Sequence, residues 1–213
     1  MIAIVDYGMG NVRSVHNALE YIGEDAVVTA DPGVIDEADR LILPGVGAFG
    51  DAMANLGARG LVKVLERQVF EKRKPFLGIC LGMQLLAKGS AEHGTHAGLG
   101  WFDGCVVRFN GETRGLKVPH MGWNEIRREV DHPLFSSLRQ EQLVFYFVHS
   151  YHFVCHDLAD VAGTCEYGER FTSAIGRDNI FATQFHPEKS QDNGIQLLTE
   201  FARWNPPRLR SPC

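Results

Sequence analysis

Pro75-Phe-Leu-Gly-Ile-Cys-Leu-Gly-Met-Gln84 decides how this sequence folds. The apolar run Phe76–Ile79 reads as a buried strand, and it passes straight into a helix-forming segment with Cys80 at the join. Gly78 and Gly82 stand two positions to either side, giving the G-x-S-x-G nucleophile elbow with cysteine in place of serine. A strand turning sharply into a helix crowds its own backbone, so side chains at the two glycine positions would clash. The turn lifts the Cys80 sulfur out of the sheet and sets it at a helix N-terminus, whose partial positive charge favours thiolate over thiol. The backbone N–H of Leu81 is then directed at an oxyanion. By itself the pattern does not separate a nucleophile from a cysteine packed at a strand end. A base has to be found.

Outward from the elbow, short apolar runs alternate with helix-period stretches, the pattern of a mostly parallel sheet flanked by helices. Strands are expected at Ile2–Val5, Ala26–Thr29 and Arg40–Leu43, the last closed by Pro44. Helices are expected at Asn11–Ile22, Leu61–Arg73, from Gly82 to Lys88, and at Gly194–Trp204. Between Val106 and Ala182 strand-like pieces follow one another with turns between: Val106–Phe109, Glu125–Arg128, Leu143–Val148, Ala162–Glu166 and Ser173–Arg177. These read as antiparallel hairpins added to the parallel core, which resumes at Ile180–Gln184. The expectation is a flavodoxin-like α/β domain over residues 1–204, followed by a Pro- and Arg-rich tail, 205–213, expected to be frayed.

The base comes from Phe181-Ala-Thr-Gln-Phe-His-Pro-Glu-Lys-Ser190. His186 ends a strand, Pro187 stops it, and Glu188 lies within reach to orient an imidazole and stabilise its charged form. Parallel α/β sheets place their sites at this carboxyl edge. A surface His-Pro turn with a solvated Glu would read the same in isolation. Nucleophile, base and orienter on two potentially neighbouring strands are far more specific together than apart.

A third segment, Leu41-Ile-Leu-Pro-Gly-Val-Gly-Ala-Phe-Gly-Asp51, satisfies G-x-G-x-x-G through Gly45, Gly47 and Gly50. A dinucleotide role fails because Pro44 occupies the turn and the next strand ends at Cys80 instead of a ribose-binding acid. Glycines freeing a backbone to present N–H groups to an oxyanion suit the segment better. Gln84, one turn past Cys80, and the Val148–His152 run, with Ser150 and Tyr151, are candidate substrate contacts or simply polar faces. Trp123, in Pro119-His-Met-Gly-Trp-Asn124, is either core or an exposed anchor for a partner. His16, His93, His96, His132 and His156 show no metal-ligand spacing and are read as surface residues.

Composition sets the bounds. In 213 residues, 21 Lys and Arg against 26 Asp and Glu give a net charge of −5, and the cations are scattered, so a nucleic-acid footprint is missing. No apolar run approaches the roughly 18 residues of a membrane span, and Met1–Asp6 does not read as a signal peptide. The five cysteines (80, 105, 155, 165 and 213) are odd in number and widely spaced, with no CxxC. That disfavours a disulfide framework or a zinc site and suits reduced thiols in the cytoplasm. No metal and no cofactor are expected.

With Gly78-Ile-Cys-Leu-Gly-Met-Gln84, Pro44-Gly-Val-Gly47 and His186-Pro-Glu188 assembled, the chain resembles the class I, triad-type glutamine amidotransferases over nearly its whole length. Within that family it is similar to the glutaminase subunits of imidazole glycerol phosphate synthases, in histidine biosynthesis. The narrower likeness rests on Asp6-Tyr-Gly-Met-Gly-Asn11, Pro44–Gly50, Pro119–Asn124, Phe147-Val-His-Ser-Tyr151 and Gln184–Ser190. The resemblance implies a catalytic triad of Cys80, His186 and Glu188 hydrolysing glutamine. It also implies an oxyanion hole from the Gly45-Val46-Gly47 loop and Leu81, formed directly or after a peptide reorientation triggered by a partner. That partner is a (β/α)8-barrel cyclase subunit, joined as a heterodimer that receives the ammonia, with Asn11, Trp123 and Lys189 at the interface. The chain departs from the family pattern at Gly98-Leu-Gly-Trp-Phe-Asp103 and in its Arg-rich tail.

Two rivals remain on the residues. A stand-alone cysteine hydrolase would use the same thiol and imidazole but has no need of the His-Met-Gly-Trp-Asn and Asp-Tyr-Gly-Met-Gly-Asn blocks. A glutaminase serving another acceptor, in pyridoxal phosphate, anthranilate or nucleotide synthesis, would lack the linked blocks. A non-catalytic module of the same fold is disfavoured by the intact Cys80, His186 and Glu188.

Overall fold

The computed structural model describes residues 1–110, 115–138 and 143–206. Strand β1 (Ile2–Val5) has four buried apolar residues, and their alternation sends them to opposite sides of the sheet. Ile2 and Ile4 enter one core with Val15, Leu19, Leu197 and Phe201. Ala3 and Val5 enter the other with Leu41, Leu43, Leu56 and Leu65. Each face therefore needs its own cover of helices. Helices α1 (Val12–Tyr21) and α6 (Gln191–Arg203) supply the first. The second is covered by α2 (Pro32–Glu37), α3 (Phe49–Ala58) and α4 (Leu61–Glu66).

Strands β2 (Ala26–Thr29), β1, β3 (Arg40–Gly45), β4 (Phe76–Cys80) and β13 (Ile180–Thr183) lie side by side and parallel in that order. This is the flavodoxin-like doubly wound order. Beyond β13 the sheet turns antiparallel through β12 (Arg170–Arg177), β10 (Tyr151–Cys155) and β7 (Gly104–Arg108). It ends in two short strands, β5 (Gly89–Ser90), parallel to β7, and β6 (His96–Ala97), antiparallel to β5. A branch leaves β12 through β11 (Val161–Glu166) to β8 (His120–Arg128) and β9 (Val144–His149). The sequence expectation of a mostly parallel sheet with added hairpins holds.

Several boundaries differ from expectation for tertiary reasons. Pro44 does not close β3; it pairs in register with Ile79, and Gly45 with Cys80. Leu41 N–H donates to Pro75 O on the β4 side, so alternation turns the Pro44 nitrogen toward β1, whose pairing has already stopped at Ile42. Asp31-Pro32 starts the unforeseen α2, the Asp31 carboxylate accepting from Gly33 and Val34 N–H at 2.7 and 3.1 Å. The expected helix over Leu61–Arg73 is α4 followed by a π-helical turn, Arg67–Glu71. The strand expected over Glu125–Arg128 starts earlier, and block Pro119–Asn124 enters β8 from His120 on. The tail from residue 207 lies outside the described residues.

Candidate active site

The carboxyl ends of β3, β4 and β13 converge. Cys80 ends β4 with φ 54° and ψ −107°, a backbone conformation that non-glycine residues rarely hold and that costs on the order of 1–3 kcal/mol. Close packing enforces it. A Cβ on Gly82 would sit 1.9 Å from the Leu43 carbonyl oxygen, and one on Gly78 would sit 3.0 Å from Ala182 Cβ. Both glycines are needed because the elbow lies directly on its neighbouring strands. The helix that follows, α5 (Leu81–Gln84), is a single turn and does not run to Lys88 as expected. Lys88 N–H instead donates to Gly104 O, and the chain is drawn into β5. The field at Cys80 is thus that of one turn of free N–H groups, weaker than a long helix would supply.

His186 follows β13 by three residues and is held from several sides. Its N–H donates to Tyr146 O at 2.9 Å and its carbonyl accepts from Ser190 Oγ at 2.6 Å. The tight turn after it lets Nδ1 meet Glu188 Oε1 at 2.8 Å, with both side chains about 2% exposed or less. A Cβ on Gly194 would fall 1.8 Å from Pro187 O, so the start of α6 presses against this turn. Burial opposes the charged imidazole, but the Cys80 and Glu188 charges outweigh it and carry its pKa up to about 10. Nε2, on the Cys80 side, has no hydrogen-bond partner. A loose contact of this kind is common in sites without substrate.

Cys80 opens on a cleft of about 780 Å³ whose lining includes Val46, Gly47, Leu81, Gln84, Ser150 and Tyr151. Gly45 is not on its wall. It lies behind the loop, where a Cβ would be 2.4 Å from Tyr7 Oη and 2.8 Å from Leu81 Cβ. Gln84 does more than touch the cleft: its Nε2 donates to Tyr151 O at 2.9 Å and to Gln184 Oε1 at 3.0 Å. Gln184 in turn donates from Nε2 to Cys80 Sγ at 3.6 Å.

Sequence reasoning did not single out Gln184, nor Glu92 and Arg108, which bring opposite charges to the cleft wall. Glu92 Oε2 also accepts the Phe49 N–H at 2.7 Å, tying the cleft to the start of α3. Both come from short antiparallel additions whose fold-back no local pattern announces. Gln184 lay in view beside His186, but a polar residue at the end of a buried run gives no hint of its partner. Tyr7, also overlooked, is fully buried with an unpartnered hydroxyl, held protonated by burial and then by the Cys80 charge.

The three residues assigned to an interface fall on one side. Trp123 is 48% exposed on β8 and meets Tyr146 edge-on at 6.0 Å, while Lys189 Nζ lies 5.8 Å from the same ring. Asn11 caps α1, which packs against the turn carrying Lys189. Met121 adds a 66% exposed apolar side chain on the same strand. His132, read as a surface residue, is instead stacked on Phe181 at 4.4 Å, and burial lowers its pKa to about 4. Another groove, of about 640 Å³ between β8 and β11, contains Cys165. Burial pushes that thiol up to about 12, which leaves it unreactive. Among the described residues no group of His, Cys, Asp and Glu is arranged to hold a metal ion.

A thiol on a strained elbow, facing a buried imidazole–carboxylate pair at the edge of a flavodoxin-like sheet, defines a class of cysteine-nucleophile α/β proteins. Within that class the chain belongs to the glutamine amidotransferase class-I family, whose model matches residues 3–203. It is 51% identical to "Imidazole glycerol phosphate synthase subunit HisH 2" of Nitrobacter winogradskyi, across 96% of this chain and 99% of that one. It is 52% identical to the HisH subunit of Sulfurimonas denitrificans, across 96% and 98%. Among solved structures, PurLQS from Thermotoga maritima superposes with a TM-score of 0.71 at 19% identity, covering 95% of this chain and 97% of that one. The crystal structure of another glutamine amidotransferase gives 0.70 at 19%, covering 95% and 98%. At such identities the structural likeness speaks for the fold alone.

Proposed function

We propose that this chain is the glutaminase subunit of an imidazole glycerol phosphate synthase, hydrolysing glutamine and passing the ammonia to a cyclase subunit. The observation that carries the chemistry is the Cys80 elbow opposite the 2.8 Å His186–Glu188 pair. The Cys80 thiolate attacks the side-chain amide carbon of glutamine, and the carbonyl oxygen becomes an oxyanion met by N–H groups of the Val46–Gly47 stretch and Leu81. Protonated His186 gives its proton to the departing nitrogen, which leaves as ammonia, and a glutamyl thioester remains. Neutral His186 then takes a proton from water, hydroxide adds to the thioester, and thiolate leaves with glutamate as the product. Glu188 holds the imidazole proton on Nδ1 so that Nε2 faces the reaction.

The cleft suits a free amino acid. Glu92 and Arg108 on its wall bring the charges that would pair with an α-ammonium and an α-carboxylate. Gln84 spends both amide protons inside the protein, leaving its oxygen as an acceptor. The acceptor of the ammonia is argued from the named relatives and from the Trp123, Tyr146 and Lys189 patch. That patch supports a heterodimer with a (β/α)8-barrel cyclase, and Asn11 extends it. Residues 1–204 make up the glutaminase domain in this reading, and the setting is cytoplasmic; no helix among the described residues is long and apolar enough to cross a membrane.

The test is glutamine hydrolysis by wild type and Cys80→Ala, alone and with the cyclase and its phosphoribosyl ligand. Cys80→Ala is expected to lose glutaminase activity while its complex still cyclises substrate when ammonium is supplied. Retained hydrolysis in Cys80→Ala sinks the triad. A cyclase that neither binds nor stimulates wild type sinks the assignment to histidine synthesis and leaves the glutaminase reading standing.

A further inference from the structure

A continuous hydrogen-bonded chain leads from the Cys80 sulfur to the outer strand β8. Gln184, fully buried, donates to Sγ at 3.6 Å and accepts from Gln84 Nε2 at 3.0 Å. Gln84 donates its second proton to Tyr151 O at 2.9 Å, and the same carbonyl lies 2.8 Å from His149 Nδ1. His149 Nε2 is 3.0 Å from His120 Nδ1. His120 Nε2 is 3.2 Å from Asn124 Nδ2, which is also anchored on Glu166 O at 2.9 Å.

Each link dictates the next. A carbonyl only accepts, so His149 carries its proton on Nδ1 and leaves Nε2 bare. The bare Nε2 must receive a proton, so His120 also donates from Nδ1 and accepts at Nε2 from Asn124. Burial holds both rings neutral, with pKa values near 3 for His149 and 4 for His120. With both protons of Gln84 committed, the amide of Gln184 has one good orientation: oxygen toward Gln84 and N–H toward the sulfur. A flipped amide would set N–H against N–H at one end and two lone-pair-rich atoms together at the other.

We propose that Gln184 is a catalytic residue, the fixed hydrogen-bond donor to the Cys80 thiolate, and that Gln84, itself fixed by the Tyr151 carbonyl, is the positioning residue that keeps its amide correctly oriented. The need for it follows from the reaction. His186 can stabilise the thiolate only while it holds a proton, and it gives that proton away when ammonia departs. An amide N–H cannot be transferred, so Gln184 stays beside the sulfur while the thioester forms and again when thiolate leaves. The chain ends at Asn124, next to exposed Trp123, so the outer face of β8 and the nucleophile belong to one network.

The inference rests on Cys80 being the nucleophile, and its test reads the sulfur without glutamine, so its failure is separate from failure of the glutaminase reading. The rate of Cys80 alkylation by iodoacetamide is followed by peptide mass mapping across pH in the isolated chain. Gln184→Met keeps the volume and removes the donor; it is expected to react about tenfold more slowly at neutral pH, with its profile moved to the alkaline side, the size of one hydrogen bond to a charged group. Gln84→Met, which removes both protons that fix the Gln184 amide, is expected to slow alkylation in the same direction. Wild-type rates and profile in Gln184→Met, or in Gln84→Met, overturn the proposal. Should a variant fail to fold, nitrogen-15 spectra of the wild type decide: the Gln184 side-chain amide is expected to shift as Cys80 titrates, and an amide unmoved across that range overturns the proposal.

Discussion

Gly82→Ala tests the packing that creates the elbow. A Cβ there would lie 1.9 Å from the Leu43 carbonyl oxygen, while ordinary contact begins near 3.4 Å, so roughly 1.5 Å must be found. Neither side can yield it. Leu43 is in the middle of β3, paired with Gly78 of β4, and moving it breaks the central ladder. Gly82 sits in the one turn whose shape fixes Cys80 at positive φ. Overpacking in cores generally costs about 1–3 kcal/mol; against an immobile carbonyl the cost is expected at about 3 kcal/mol or above. For a chain of this length that lowers Tm by about 6–12 °C. Gly57→Ala is the control: it is exposed, inside α3, with nothing within 4 Å of its Cβ. It should gain about 0.5–1 kcal/mol. Thermal melts with glutaminase assays on both variants decide the matter. A Gly82→Ala protein that melts within about 2 °C of wild type and hydrolyses glutamine normally refutes the reasoning.

Other expectations follow from the same geometry. Burial lowers His120, His132 and His149 to about 4, 4 and 3, below the roughly 6.5 of an unfolded histidine. Between those values the unfolded chain binds protons that the folded one cannot, so stability rises with pH there and is lost on acidification. Urea titrations at pH 6.5 and 5 should show the loss, up to about 1.4 kcal/mol per pH unit per histidine; a flat profile contradicts it. His186 has the opposite sign, because its pKa is raised to about 10: its stabilising contribution is complete below about 6.5 and disappears as pH climbs through 10. Glu188→Gln should lower kcat by about 10²–10⁴ and bring the pH at which that contribution is lost downward; full activity in this variant removes Glu188 from the site. Trp123→Ala should weaken cyclase binding by at least about 30-fold while stability changes by no more than about 0.5 kcal/mol, and an unchanged Kd in calorimetry excludes it as an anchor.

What could be read in the sequence divides along physical lines. Strands β1 and β2 match their expected bounds: β1 is a four-residue run buried in a parallel sheet that needs no polar alternation to reveal it, and the half-buried edge strand β2 is a run of apolar and β-branched residues. The elbow was legible because close backbone approach at Gly78 and Gly82 tolerates only glycine. Strand β8 was legible only in its second half. In its first half Met121 and Trp123 face outward while His120 is buried, which inverts the usual pattern. Helix α5 ended early because Lys88 found a distant partner in Gly104, a choice that no local propensity contains. Glu92 and Arg108 were invisible for the same reason: only the antiparallel additions carry them to the cleft.

The arrangement also separates what is fixed from what is left to respond. Cys80 is locked by the Gly82–Leu43 contact, and His186 and Glu188 share one turn pinned by Tyr146, Ser190 and Gly194. Val46 and Gly47 are different: Val46 is 40% exposed, and Gly47 holds φ 100°, open to backbone rotation in a way that β-strand neighbours are not. A partner that controls ammonia release would gain little by moving a triad so tightly held. The 46–47 loop is the part left free to respond, and its far end is tied through Phe49 N–H to Glu92 on the cleft wall. One carboxylate thus joins the end of the loop to the cleft wall. Under the proposed function, Cys80, His186 and Glu188 determine which bond is cut, and the loop is the part left to determine when.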